Sequence, residues 1–304
     1  MKIRKSKKGV LPHVISGALC LLFLFVFLVP VTASPAVNED AEKKPFRVPK
    51  VGKKIRLDGV LDDDVWKKAL VLELKYEVSP GENIAAPVKT EVLLAYNKSH
   101  LFVAFRAFDP DPAKIRARVT DRDNFIGDDY VGVVLDTFND NRRYYYFYCN
   151  PFGIQMDLIE NTDGGGDEWD GIWKSAGKIT GWGYAVEMAI PFSTLRFQRS
   201  KEDQVWSFDA VRKYSRNVLH HIGLFPQDRN NNCYMCQSEK LTGFSGVSRA
   251  KNLEIDPTLS GVLTQNRESF PDGKFVKKDG KVEPGITGRW SFAPNLTLSG
   301  TVNP

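Results

Sequence analysis

The stretch Thr90-Glu91-Val92-Leu93-Leu94-Ala95-Tyr96-Asn97-Lys98-Ser99-His100-Leu101-Phe102-Val103-Ala104-Phe105-Arg106-Ala107-Phe108-Asp109-Pro110-Asp111-Pro112 decides the fold class. Two runs rich in β-branched and aromatic residues, Thr90 to Tyr96 and Leu101 to Phe108, flank a polar tetrad of hairpin length. The Asp-Pro-Asp-Pro sequence ends the second run, because proline donates no hydrogen bond to a ladder. Similar short runs recur at Tyr130 to Thr137, Arg143 to Asn150, Ile154 to Glu160, Tyr184 to Ile190 and Trp206 to Arg212, with turn residues between them. Such a series predicts an all-β antiparallel sandwich of two sheets, jelly-roll or immunoglobulin-like, with short peripheral helices. The folded module is expected over 51–252.

Outward from this core, the N-terminus is basic (Lys2, Arg4, Lys5, Lys7, Lys8), then apolar from about Val14 to Val29, then small at Val31-Thr32-Ala33. This is the grammar of a secretory signal, residues 1–33, with cleavage expected after Ala33; an uncleaved membrane anchor is the alternative. Leu19 before Cys20 disfavours a lipoprotein. The chain has 42 Lys+Arg against 37 Asp+Glu, and the signal holds five of the basic and none of the acidic residues, so the remainder is formally neutral. The basic balance therefore belongs to the address and gives no ground for a nucleic-acid partner. Residues 34–50, rich in Pro, Glu, Lys and Ala, read as a linker.

Between Leu57 and Ala69, Asp62 is positioned to cap a helix, with Leu61 and Trp66 as a hydrophobic staple and Asp63 and Asp64 at the positive end of the helix dipole. On this reading Trp66 packs rather than binds. After Lys251 a new strand begins at Leu253, Asn266 to Glu283 reads as a polar loop, and two alternating segments flank Pro294-Asn295. Such alternation occurs in outer-membrane barrel strands and equally in soluble hairpins.

The string Leu57-Asp58-Gly59-Val60-Leu61-Asp62-Asp63-Asp64-Val65-Trp66 resembles the opening of family 9 carbohydrate-binding modules, an Asp-Gly pair followed by an acidic pair and a tryptophan. Asp129-Tyr130-Val131-Gly132-Val133-Val134-Leu135-Asp136 is similar to that family's strand bounded by aspartates, and Gly183 to Pro191 to its strand ending in Ala-Ile-Pro. The resemblance covers roughly Phe46 to Asn252. It implies a non-catalytic module whose partner is a polysaccharide or oligosaccharide. It also implies two clamp aromatics, which fall at Phe125 and near Tyr234, and an acidic contact residue near Gly132. Members with sugar binding carry tryptophans and an acid there, so this chain departs at all three places. Trp173 to Ala176 with Phe192 to Phe197 resembles the subgroup that precedes an outer-membrane barrel, and the tail from Asn295 resembles the barrel's first hairpin. That implies a chain cut where a barrel begins, with 253–304 a truncated barrel start, and a location on the periplasmic face or at the outer membrane.

Sugar sites require flat aromatic faces and polar groups for hydroxyls, which makes Phe125, Tyr234 and Trp169 the candidate rings, with ordinary loop packing the alternative for Phe125. The loop Asn161 to Asp170 gathers carboxylates, with Asp163, Asp167 and Asp170 possible calcium ligands against the alternative of a solvated surface loop; no cofactor is required. Cys233 and Cys236 could form a disulfide, a redox couple or half a zinc site, and the exporting compartment favours the disulfide. His220 and His221 would point to opposite faces of an extended segment, so at most one could join a metal. Cys149 is left as a buried thiol. Asp58, Asp62 and Trp66 are structural in this reading. The carboxylate pairs Asp128 with Asp129 and Glu168 with Asp170 single out no acid and base. No nucleophile elbow or phosphate-binding loop is present, so no catalytic residue is assigned. Two other functions stay open: a plug or docking domain for a barrel, and part of an O-glycosyl hydrolase.

Overall fold

The computed structural model describes residues 44–52, 55–162, 165–167, 169–198, 202–247, 252–293 and 296–303. The expected signal and most of the expected linker lie outside them. Residues 44–108 supply β1 (Phe46–Arg47), β2 (Leu70–Glu73), β3 (Tyr76–Ser79), β4 (Ile84–Ala85), β5 (Thr90–Tyr96) and β6 (His100–Phe108). Next come β7 (Tyr130–Asp136), β8 (Arg143–Cys149), β9 (Gln155–Asn161), β10 (Gly165–Asp167), β11 (Lys174–Thr180) and β12 (Gly183–Pro191). The remainder gives β13 (Gln204–Ser215), β14 (Leu219–Gly223), β15 (Glu239–Gly243), β16 (Asn252–Arg267), β17 (Phe275–Ala293) and β18 (Leu296–Val302).

Among the described residues the larger layer runs β10-β9-β8-β7-β13-β14-β3-β4, with β15 paired to β13 and β1 to β15, and the smaller runs β11-β12-β6-β5-β2. The strands are antiparallel except for the β1–β15 pair and an isolated bridge from Lys50 to Tyr96. The expected two-sheet, all-β sandwich is what forms. Its core is the set of inward-facing positions: Val92, Leu94, Val103, Phe105, Val186 and Met188 from the smaller sheet meet Val131, Val133, Leu135, Tyr145, Phe147, Trp206 and Phe208 from the larger.

The continuous apolar runs of β5 and β6 have a direct cause. Leu93, Ala95, Phe102 and Ala104 face away from this core and are covered by Val65 and Trp66, with Leu57 and Leu61 packed alongside. Both faces of the smaller sheet are therefore buried, and neither strand alternates.

The Asp-Gly-to-tryptophan motif forms this cover. Glu187 of β12 is fully buried and accepts N–H groups from Asp58 (3.0 Å), Gly59 (2.8 Å) and the Trp66 indole (2.9 Å). Gly59 takes a φ of +75°, and a Cβ there would sit 2.8 Å from Lys178 Cβ and 2.9 Å from the Gly177 carbonyl carbon. The helix expected after Asp62 is instead one 3-10 turn, Trp66–Lys68, preceded by Val65 with no side-chain cap. Asp62 is exposed, and Asp63 accepts the Arg56 N–H at 3.0 Å. The strand-forming Leu70–Glu73 begins at once and pairs with β5, so no second helical turn is available.

The fold also starts earlier than expected. Val48 is buried, and β1 lies beside Leu241 and Thr242, so the end of the supposed linker belongs to the sandwich. The aspartates bounding β7 tie down its ends. Asp129 accepts N–H groups from Arg116 (2.7 Å) and Ser215 (3.0 Å) and pairs with Arg216, while Asp136 accepts those of Phe138, Asn139 and Asn141.

Strands β16, β17 and β18 form a separate three-stranded sheet. The polar loop expected from Asn266 to Glu283 is shorter, because β17 already begins at Phe275, its polar backbone paired with β16. The register places Leu253, Ile255, Pro257, Leu259, Gly261 and Leu263 opposite Trp290, Gly288, Ile286, Pro284, Val282 and Gly280, and Leu298 and Val302 opposite Trp290 and Ile286. One face is thus apolar, glycine or proline from Leu253 to Leu263, and its large side chains are exposed. Asp256, Thr258, Ser260, Lys281, Glu283, Ser299 and Thr301 have the opposite parity.

Candidate functional site

Among the described residues the outer face of the larger sheet has no covering segment like that on the smaller one, and its residues are of another kind. Alternation along β8 sends Tyr145, Phe147 and Cys149 inward and Tyr144, Tyr146 and Tyr148 outward. Strand β7 adds Tyr130 and Val134, β13 adds Val211 and Lys213, β14 adds His221, and Tyr234 comes from the segment before β15. The rings form a row, Tyr130 to Tyr148 at 5.4 Å and Tyr148 to Tyr146 at 5.8 Å between centroids. Gly132 makes room for it: a Cβ there would lie 2.0 Å from Tyr148 Cδ1 and 2.4 Å from the Phe147 carbonyl oxygen. Val134, Val211 and Met235 are buried beneath.

These residues open into a cleft of about 370 Å³, also lined by Glu160, Asn161, Thr162, Gln227 and Asn232. That volume lies within the ~300–1,000 Å³ of small-molecule sites. The Tyr146 hydroxyl donates to Glu160, and burial together with this carboxylate raises the phenol's pKa. The Tyr234 hydroxyl donates to buried Asp209, whose carboxyl is pushed up to about 7 by burial, against the opposing pull of Tyr234 and the N–H groups of Leu224 and Ala210. Burial lowers the Lys213 ammonium to about 8, and burial with the Lys213 charge drives His221 down to about 3. His221 is therefore neutral at ordinary pH. Its Nε2 and the Gln227 Nε2 are buried with no hydrogen-bond partner among the described residues. Gln227 is held through its backbone by Asn83, which accepts its N–H at 2.8 Å and donates to its carbonyl at 2.9 Å.

Of the three candidate rings, only Tyr234 lies in the cleft. Phe125 is fully buried, its ring against Tyr130 at 5.5 Å, so it buttresses the tyrosine row and offers no free face. Trp169 lies on the core side, edge-on to Tyr145 (5.5 Å) and Phe147 (5.8 Å), and belongs to a different face from Tyr234. The space an acidic side chain would take at Gly132 is filled by Tyr148.

Asp163 and the side chain of Asp167 lie outside the described residues; Asp170 is exposed and pairs with Arg122 at 3.2 Å. Among the described residues no His, Cys, Asp and Glu cluster suited to a metal is present. Cys233 and Cys236 form a disulfide, which closes the short segment carrying Tyr234. Cys149 is a buried free thiol, pushed up to about 12 by burial. His220 and His221 do face opposite ways, His220 Nδ1 lying 3.0 Å from Glu77 Oε1. Asp58 and Trp66 serve the cover of the smaller sheet, while Asp62 makes no capping hydrogen bond to the 3-10 turn.

Sequence reasoning missed Tyr144, Tyr146, Tyr148, Lys213, His221 and Gln227. The signal for the tyrosines was present. Arg143-Tyr144-Tyr145-Tyr146-Phe147-Tyr148 carries aromatic residues at both parities, and only one parity can enter the core.

Residues 57–215 match the family described as "Carbohydrate family 9 binding domain-like". A 140-residue stretch is 26% identical to endo-1,4-beta-xylanase C of Paenibacillus barcinonensis, covering 46% of this chain and 12% of that enzyme. The chain thus spans only a small part of that relative's length. A proposed carbohydrate-binding protein from Bacteroides uniformis superposes with a TM-score of 0.53 at 16% identity, over 66% of this chain and 99% of that one. A family 9 carbohydrate-binding module from Caldicellulosiruptor kristjanssonii, solved with cellotriose, gives 0.46 at 17% identity, over 65% and 92%.

Proposed function

Because this chain belongs to the carbohydrate family 9 binding domain-like family, we propose that it binds carbohydrate, without transforming it, in the tyrosine-lined cleft on the open face of its larger sheet. The observation that carries this reading is the convergence of Tyr148 and Tyr234 with Glu160, Lys213, His221 and Asn232 around one cavity. Aromatic faces match the C–H side of a pyranose, and the polar groups match its hydroxyls. Among the described residues lining the cleft, Glu160 is the one carboxylate, and it is engaged by Tyr146. Glycoside hydrolysis of the usual kind requires two carboxyl groups about 5–9 Å apart, so binding is favoured over cleavage. The cellotriose carried by the Caldicellulosiruptor module makes β-glucans a reasonable first probe. A glycan array followed by calorimetry tests the reading. Tyr148→Ala and Tyr234→Ala are each expected to weaken binding at least about tenfold, and silence across the array would return the protein to the docking or plug role.

A second proposal concerns β16, β17 and β18: this sheet is the start of an outer-membrane barrel in an exported chain. It is supported by the apolar face running from Leu253 to Leu263, which matches the ~9–11 residues a tilted membrane strand requires. The basic, apolar and small-residue grammar of 1–33 supports export. Membrane fractionation of expressing cells, with Trp290 fluorescence quenched by brominated lipid, checks it. A fully water-soluble protein with unquenched Trp290 would exclude it.

A further inference from the structure

Lys213 lines the cleft, with Tyr130 directly opposite on β7 and His221 directly opposite on β14. Neither neighbour carries charge near neutral pH, since burial raises the Tyr130 phenol and lowers the His221 imidazole. No acceptor or carboxylate pairs with Lys213 among the described residues, and the one carboxylate of the cleft lining, Glu160, is taken by the Tyr146 hydroxyl. Asp209, four residues away on the same strand, is buried beneath Tyr234 and bonded to it. The other ionisable lining groups, Tyr144 and Tyr148, are phenols whose ionisation burial opposes. The cleft therefore holds one ammonium that no carboxylate contacts among the described residues, Glu160 being held by Tyr146, together with two buried nitrogens, on His221 and Gln227, that have no partners among those residues. Partly buried cations in folded proteins are ordinarily paired, because desolvation of an unpaired charge is costly. Here burial alone moves the lysine to about 8, and no anion offsets it.

We infer that the ligand supplies the missing anion: the cleft takes an acidic sugar, a uronate or a sulfated residue, whose negative group seats on Lys213 while the tyrosine row holds the ring. This rests on the carbohydrate reading above and narrows it to a substrate class.

The test is calorimetric titration of the full chain in parallel with glucuronate, galacturonate and their short oligomers, with sulfated galactose, and with the neutral parent sugars, at pH 7 and low salt. The acidic member of each pair is expected to bind about tenfold or more tighter. Lys213→Met is expected to abolish that preference while leaving weak binding of the neutral sugar, and Lys213→Arg to retain it. Affinity for the acidic sugar is expected to fall about tenfold between pH 7 and pH 9 as the ammonium deprotonates, with the neutral sugar unaffected. The carboxylate and sulfate arms separate the two sources of anion. Equal binding of acidic and neutral sugars, or a preference that survives Lys213→Met in a protein with unchanged circular dichroism, overturns the inference and leaves the carbohydrate reading standing. Failure of every sugar to bind overturns both.

Discussion

Replacing Glu187 by alanine should unfold the family signature from the sandwich while leaving the cleft untouched. The side chain is fully buried and receives three N–H groups, from Asp58, Gly59 and the Trp66 indole, at 2.8–3.0 Å. Truncation leaves the Gly59 amide and the indole N–H buried and unsatisfied, at about 1–3 kcal/mol each; the Asp58 amide is partly exposed and can turn to water. Removing the carboxylate also relieves its own desolvation, which raises the Glu187 pKa and offsets part of the loss. The net expectation is about 3 kcal/mol, and at ~2–4 °C per kcal/mol for a domain of this size the melting temperature should drop by about 6–12 °C. Urea and thermal unfolding followed by circular dichroism give the number. Glu187→Gln should fall between wild type and alanine, because the amide oxygen still accepts while its NH2 opposes a donor.

The same substitution separates structural from functional roles. Glu187 belongs to β12 of the smaller sheet, whereas the tyrosine row is on the larger one. A folded Glu187→Gln protein should therefore bind glycans with unchanged affinity. A stability change below about 1 kcal/mol for the alanine variant would refute the three-donor account, that being less than one unsatisfied group is worth. Loss of binding by a folded glutamine variant would refute the placement of the site.

Gly132→Ala should destabilise by about 1–3 kcal/mol in urea unfolding, and pairing it with Tyr148→Ala should recover only part, since the clash with the Phe147 carbonyl oxygen remains. His221 should make the fold acid-sensitive. Its native pKa of about 3 lies below the ordinary 6.5, so between these values the unfolded chain binds the extra proton, and stability is lost as pH falls through that window. His221→Asn should flatten this part of the stability–pH curve, and an unchanged slope would count against a buried neutral imidazole. Cys149, buried and shifted to about 12, should resist thiol reagents in the native protein at pH 8 and react fully in denaturant.

The strands were legible because hydrophobic runs and turn residues are local. The hairpin at Asn97 is an example: its side chain accepts the N–H groups of Ser99 and His100, both at 2.8 Å, which is what a short polar tetrad is suited to do. The helix at Asp62 was misread because a local capping pattern competes with a non-local one, the pairing of Leu70–Glu73 with β5, and the sheet prevails. The linker was misread for the same reason. Phe46 and Val48 have no periodic context, and only Leu241 and Thr242, almost two hundred residues on, give them a place. The site was less legible still. Lys213, His221 and Tyr130 become neighbours through the insertion of β13 between β7 and β14, an order that nothing local encodes. Phe125 stayed open between ligand platform and packing for a related reason: a lone loop aromatic reads the same whether it covers a ring or faces solvent.

The position of the family signature explains why family membership is easy to read here and specificity is not. The Asp-Gly pair and its tryptophan close the outer face of the smaller sheet around buried Glu187, and the aspartates of β7 hold that strand's ends; all of these are scaffold. A substitution among them costs stability whatever the ligand is. Apart from Gly132, where an added side chain would meet the Phe147 carbonyl oxygen, the open face of the larger sheet is under less such constraint, since its outward side chains rest on a floor of Val134, Val211 and Met235 and alternate with a core already filled from the other side. Tyr234 and Tyr148, the latter lying across Gly132, stand on this face, so a change of either ring bears first on what the cleft can hold. Specificity can drift on one face while the fold is fixed by the other. It follows that the ligand of this chain is to be argued from its own open face, Lys213 and the tyrosine row included.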